Sequence, residues 1–123
     1  MITTNAPPVA SGKGRLIALW ILSGLVALAF IAVGGGKLAG TTVMVDLFDK
    51  VGIAQWFRYF TGLLEVMAGI GLLISRYAFY AAILLAIVMV GAIIAHVTVL
   101  GSSPAAPAVL FVLAGIIAYL RKP

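Results

Sequence analysis

The chain has 123 residues, 64% of them hydrophobic and only 9% charged, with a mean hydropathy of +1.26. A soluble domain this small leaves much of its surface in water and could not hide so much apolar side chain, so the predicted solvent is lipid. Cysteine is absent, which excludes a disulfide framework, a thiol relay and a thiolate metal site within the chain, and the net charge of +5 comes from basic residues scattered at helix ends. That scatter points to topology and anionic-lipid contact rather than to nucleic acid.

The first element is a tail. Residues 1–14 are rich in Thr, Pro, Gly and Ala and are expected to be disordered, leaving residues 15–123 as one membrane domain. Lys13 and Arg15 ahead of an apolar run imitate a signal peptide, but the run from 16 to 36 is 21 residues without a charge, the length of a full span. Backbone polar groups must be satisfied internally in lipid, so charge-free runs of this length are predicted to be helices. Four follow in order: about 16–34, 57–75, 77–100 and 105–120, with Gly101-Ser102-Ser103-Pro104 as a turn before the last.

Between the first two spans, Thr42 is placed to cap a short interfacial helix carrying Val43, Met44, Val45, Leu47, Phe48 and Val51, with Gly52 at its end. A simply packed or re-entrant loop is the alternative reading of this stretch. Trp56, Phe57, Tyr59 and Phe60 form an aromatic belt at the start of the second span. The predicted fold is therefore all-α: an integral membrane bundle of four transmembrane helices with a short interfacial helix between the first and second. Four spans put both termini on one side with Lys13, Arg15, Arg76, Arg121 and Lys122, against Lys37, Lys50 and Arg58 on the other. This bias favours both termini cytoplasmic, in a bacterial-type plasma membrane.

One residue conflicts with this apolar pattern. Glu65 lies in the middle of the second span. An acidic side chain near a bilayer centre costs roughly 2.5–3.5 kcal/mol on insertion scales, against about 0.3–0.6 gained per Leu, Ile, Phe or Val. The segment is marginal alone, needs other helices to shelter the carboxyl, and marks a candidate site.

Arg58, Gly62, Glu65 and Gly69 recur at four, three and four residues and share one helical face. The glycines permit close approach of another backbone or of a ligand, and close packing alone would explain them. Arg58 is expected to lean outward, snorkelling to the interface and away from Glu65. His96, in the same half of the bilayer, is the expected partner of Glu65, since the two side chains lean toward each other in depth if their helices are adjacent. Lys37 closes the first span on the same side. The expected site is a pocket ringed by Lys37, Arg58, Glu65 and His96 and walled by Gly62, Gly69, Met89 and Ala92. A carboxyl in low dielectric beside an imidazole can pass or accept protons. A purely structural Glu65–His96 hydrogen bond is the rival reading.

One His with one Glu is thin for a metal site, and no metal is expected; a single His cannot supply two axial haem ligands. No nucleophile–base–orienter set, phosphate loop or dinucleotide fingerprint is present, so no catalytic residue is assigned. Apolar walls with a few convergent polar groups suit a lipophilic molecule with a polar head.

Gly36-Lys37-Leu38, Trp56-Phe57-Arg58-Tyr59 with Gly62 and Glu65, and the Met89 to His96 stretch together resemble the DoxX-like family of small four-helix membrane proteins, over about 16–122. The resemblance implies a four-span bundle. It also implies association with quinone-linked oxidation, since some members are membrane subunits of thiosulfate:quinone oxidoreductase or partners in thiol-oxidation complexes. The absence of cysteine speaks against direct thiol chemistry here.

The expected function is a non-catalytic membrane subunit that binds a quinone or other lipophilic ligand for an oxidoreductase partner. Glu65 and His96 would handle protons, and Lys37 and Arg58 would bind head oxygens or anionic lipid. The bilayer, an oxidoreductase subunit and a second copy of the chain are the expected partners, with no nucleic acid. A small proton-coupled transporter using Glu65, and a structural or assembly protein, are the alternatives.

Overall fold

The computed structural model describes residues 7–52, 55–101 and 103–123. Among the described residues every regular element is helical: α1 (Pro7–Ala39), α2 (Thr42–Val51), α3 (Gln55–Gly71), α4 (Ala78–Ala95), a π-helical turn (His96–Leu100) continuing α4, and α5 (Ala105–Arg121). Of the tail expected over 1–14, residues 1–6 lie outside the described residues, and from Pro7 onward it is the first part of α1. The short helix between the first two long ones exists, but Thr41 rather than Thr42 stands at its N-cap, without a side-chain capping bond.

The helix ends follow glycine chemistry. α1 runs through Gly34-Gly35-Gly36 and stops at Gly40, whose φ is 72°. Gly40 N donates to Lys37 O at 3.3 Å and Thr41 N to Gly36 O at 3.2 Å. This is the double closure that a left-handed residue after a helix permits, and glycine adopts it without strain. α2 ends the same way at Gly52, φ 81°, whose N–H reaches Phe48 O and Asp49 O. The π-helical turn ends at Gly101, φ 60°, with its N–H on His96 O. α3 stops at Gly71, short of the expected 75. Tight turns then carry the chain to α4, with Leu73 N on Ile70 O, Ile74 N on Gly71 O and Tyr77 N on Ile74 O.

The most extensive packing is α1 on α3 and α4 on α5, and α3 on α4 joins the two pairs. The core between them holds Val26, Ala27, Phe30, Ala68, Leu72, Ala82, Leu85, Met89, Ala114 and Ile117. Leu16, Ile17, Ile21, Leu25, Leu28, Met67, Ile87, Ile94 and Val112 are all exposed.

Two helical stretches, Gly12–Ala39 and Ala78–Thr98, are long and apolar enough to cross a membrane by length and composition, each with a mean hydropathy of 2.7. Only 28% of each apolar window is buried inside the protein. A core helix of a soluble domain would be mostly buried, so this outward apolar surface suits lipid. α3 and α5 are 17 residues each, about 25 Å long against a hydrocarbon core of about 30 Å.

Candidate functional site

A cavity of about 600 Å³ lies where α2, α3, α4, the π-helical turn and the start of α5 converge on the end of α1. α2 contributes Met44, Leu47, Phe48 and Val51, a spacing of three, one and three that places them on one face. α3 contributes Phe57, Phe60, Thr61, Leu64 and Glu65; α4 contributes Ile87, Met89, Gly91 and Ala92; Pro107 and Leu110 of α5 close the far wall. Apart from Lys37, Thr61, Glu65 and His96, every lining side chain is apolar or glycine. The hydroxyl of Thr61 is occupied locally, donating to Phe57 O at 3.0 Å.

The polar end is built by a backbone contact. A Cβ at Gly34 would stand 2.7 Å from Gly62 O, and a Cβ at Gly62 would stand 2.8 Å from Lys37 Cβ and 2.9 Å from Gly34 O. Only two glycines allow α1 and α3 to touch in this way. The contact sets Lys37, one turn beyond Gly34, against Glu65, one turn beyond Gly62. Lys37 Nζ donates to Glu65 Oε1 at 2.5 Å. The Lys37 side chain is 11% exposed and that of Glu65 0%, and the ammonium stands 5.8 Å from the centre of the Phe48 ring. A buried charge is tolerated when it is paired, and this pair is how the apolar helix α3 carries its carboxylate. Glu65 Oε2 is buried and finds no hydrogen-bond partner among the described residues.

Arg58 is placed differently from the expected snorkel. It is 4% exposed. Its guanidinium donates to Lys37 O and, through Nε at 2.7 Å, to Gln55 Oε1, and it stacks 4.2 Å from the centre of the Tyr59 ring. Lys37 O belongs to the last turn of α1, where it already accepts from Gly40 N at 3.3 Å and where a positive charge is favourable. Gln55 in turn donates to Val45 O at 3.2 Å and Asp49 Oδ1 at 2.7 Å. Arg58 therefore ties the end of α1 to α3, and Gln55 ties both to α2.

Of the residues singled out in the sequence, Lys37, Glu65, Met89, Ala92 and His96 line one cavity. Arg58 stands behind it. Gly62 and Gly69 are not on its wall; they face α1, where a Cβ on Gly69 would lie 3.0 Å from Ile31 Cγ1 and 3.2 Å from Ala27 O. The Glu65 carboxylate is held by Lys37 of α1, across the glycine contact between α1 and α3. Phe48, Thr61 and Gln55 were not foreseen as parts of the site. The face formed by Met44, Leu47, Phe48 and Val51 was a readable signal for the first; nothing in the sequence marks Gln55. Among the described residues no three His, Cys, Asp or Glu side chains gather as metal ligands.

A model of the DoxX-like family matches residues 21–118, and the chain belongs to that family. No curated protein and no solved structure matches it.

Proposed function

We propose that this DoxX-like family membrane protein is a non-catalytic subunit that binds a quinone or similar lipophilic molecule in the cavity under α2, for an oxidoreductase partner that carries the redox centre. The carrying observation is a cavity of about 600 Å³ with largely apolar walls and a polar end at the Lys37–Glu65 pair, with His96 also on the wall. That size falls within the roughly 300–1,000 Å³ typical of small-molecule sites, and one polar end with an apolar body is the shape of a headgroup with a tail. When bound, such a ligand would supply electron transfer that this chain's side chains lack. Lys37 and His96 would orient its head, Glu65 would hold the Lys37 charge in place, and the α2 face would exclude water.

The four-span arrangement belongs to the same proposal. α3 and α5 cross as the shorter pair, sheltered by α1 and α4, with both termini cytoplasmic and α2 lying at the opposite interface. The rival transporter reading needs a carboxyl free to exchange its proton with water, and a fully buried Glu65 paired with Lys37 supports it less well.

The test is native mass spectrometry of gently solubilised protein, followed by titration with a decyl-tailed benzoquinone. A bound amphiphile or saturable quinone binding, lost on Gly91→Trp while the protein stays folded, is expected. A folded protein that carries nothing and binds nothing would overturn the proposal.

A further inference from the structure

We propose that the turn between α3 and α4 holds an anionic phospholipid, with its phosphate on Arg76 beside the fixed charge of Arg121 and one acyl chain in the groove that α3 and α4 form there. This site is separate from the cavity under α2 and does not depend on what that cavity binds.

The groove has a volume of about 340 Å³. Small residues make its floor: Ala68 and Gly71 on α3 and Ala81 on α4. The two helices are so close there that a Cβ on Gly71 would lie 3.0 Å from Ala81 Cβ. Met67, Tyr77 and Tyr80 also line the groove and are exposed on the outside of the protein. From Tyr77 to Leu84 it follows α4 for seven residues, about 10 Å. Every lining side chain is apolar or a tyrosine, which suits a hydrocarbon chain lying along the helices.

The charge at the end of the groove is unbalanced. The Arg76 guanidinium stands 5.7 Å from the centre of the Tyr77 ring, so a residue that lines the groove also carries a cation. Ser75 and Arg76 are exposed. Arg121 of α5 reaches the same turn: its Nη1 donates to Ser75 Oγ at 3.4 Å, and its guanidinium stacks 4.5 Å from the centre of the Trp20 ring on α1. Nε and Nη2 of Arg121 are buried and out of a ligand's reach. Arg121 therefore contributes fixed charge, and Arg76 and the Ser75 hydroxyl are the contacting groups. The chain's only acidic side chains are Asp46, Asp49 and Glu65. The first two lie on α2 and the third is bonded to Lys37, so among the described residues neither arginine has a carboxylate partner. Two guanidinium charges at one turn repel each other, and an anion between them and the solvent relieves that repulsion. A phosphate is matched to a guanidinium by charge and by geometry. A phosphate joined to an acyl chain satisfies the arginines and the groove together, and anionic lipids attract Lys and Arg at the membrane surface.

The experiment follows the full chain in detergent by native mass spectrometry, with dioleoyl phosphatidylglycerol and dioleoyl phosphatidylcholine added at equal concentration. Phosphatidylglycerol should bind as a single molecule per chain and at least about tenfold more tightly than phosphatidylcholine, the effect expected of two basic residues near an anionic head. Arg76→Gln should lower that preference about fivefold, whereas Lys50→Gln, which removes the same charge from α2, should leave it within about twofold. Excess glycerol 3-phosphate should not displace the lipid. A phosphatidylglycerol with a photoreactive group midway along its acyl chain should label residues 67–84 of the unaltered chain, an arm that needs no variant to fold. Equal binding of the two lipids, equal effects of the two substitutions, or labelling spread over α1 and α5 overturns the proposal. Displacement by glycerol 3-phosphate would make a free phosphate the occupant and overturn it as well.

Discussion

Lys37 and Glu65 stand 28 residues apart in the chain, and their side chains meet at 2.5 Å. The meeting depends on Gly34 and Gly62, each of which leaves room for the other's carbonyl. Backbone contact, charge pairing and the polar end of the cavity are therefore one arrangement, and a change at any of the four residues should be felt at the others.

Removing one charge tests this first. Lys37→Met leaves a carboxylate buried and unpaired, at a cost of about 3–5 kcal/mol, whereas Lys37→Met with Glu65→Leu together should recover most of the loss. Thermal unfolding in detergent across the double-mutant cycle is the measurement. The Lys37–Glu65 coupling should exceed that of Glu65→Gln with His96→Ala. A larger Glu65–His96 term would mean that the carboxylate is held from α4 after all.

The same cycle marks how far the sequence could be read. Four long helices, a short one before the second, and glycine ends at 52 and 101 follow from apolar run length and turn chemistry. Glu65 stands out because a carboxyl in an apolar run demands a partner. Which partner was not legible. Depth along the helices made His96 and Lys37 both eligible, and the choice depends on which backbones come closest laterally. Gly34 and Gly62 decide that, yet each alone reads as ordinary small-residue packing, and the match appears only when the two helices are laid together. Arg58 was misjudged for a related reason. Side-chain lean was argued from its own helix, but its guanidinium is drawn to the carbonyl of Lys37 on another one.

Glycine substitutions separate contact from mere helix content. Gly34→Ala and Gly62→Ala each force a methyl against backbone and should destabilise by about 1–3 kcal/mol. Gly24→Ala and Gly35→Ala, where a Cβ meets nothing within 4 Å, should be neutral or stabilise by up to about 1 kcal/mol. Equal effects at all four sites would show that α1 and α3 are not in backbone contact.

Arg58→Lys is a charge-conserving change with an expected cost of about 1.5–3 kcal/mol, since an ammonium lacks the fork that reaches Lys37 O and Gln55 together. Melting temperature measures it. Full stability in this variant would mean that Arg58 does not hold the end of α1.

The proposed topology rests on the distribution of basic residues. Reporter fusions after Pro123 and within residues 42–52 should lie on opposite sides, with the C-terminus cytoplasmic. A cytoplasmic signal from the 42–52 segment would invert the protein and move the polar end of the cavity to the other face.

Gly91 offers the cleanest separation of site from fold. It lines the cavity, and a Cβ there would meet nothing within 4 Å. A β-carbon can therefore be added at this point of α4 without meeting a neighbour, and replacing glycine inside a helix does not weaken the backbone. Gly91→Trp should leave thermal stability within about 0.5 kcal/mol of the unaltered chain, because nothing in the core is moved. The indole would occupy the space that the proposed ligand needs, so affinity for the decyl-tailed benzoquinone should fall at least about tenfold, the effect of losing about 1.4 kcal/mol. Gly115→Trp is the matching control on α5: its Cβ also meets nothing within 4 Å, and it is not part of the cavity wall. Calorimetric titration of both variants decides the matter. If Gly91→Trp binds as well as Gly115→Trp, the ligand sits elsewhere and the cavity under α2 loses its role.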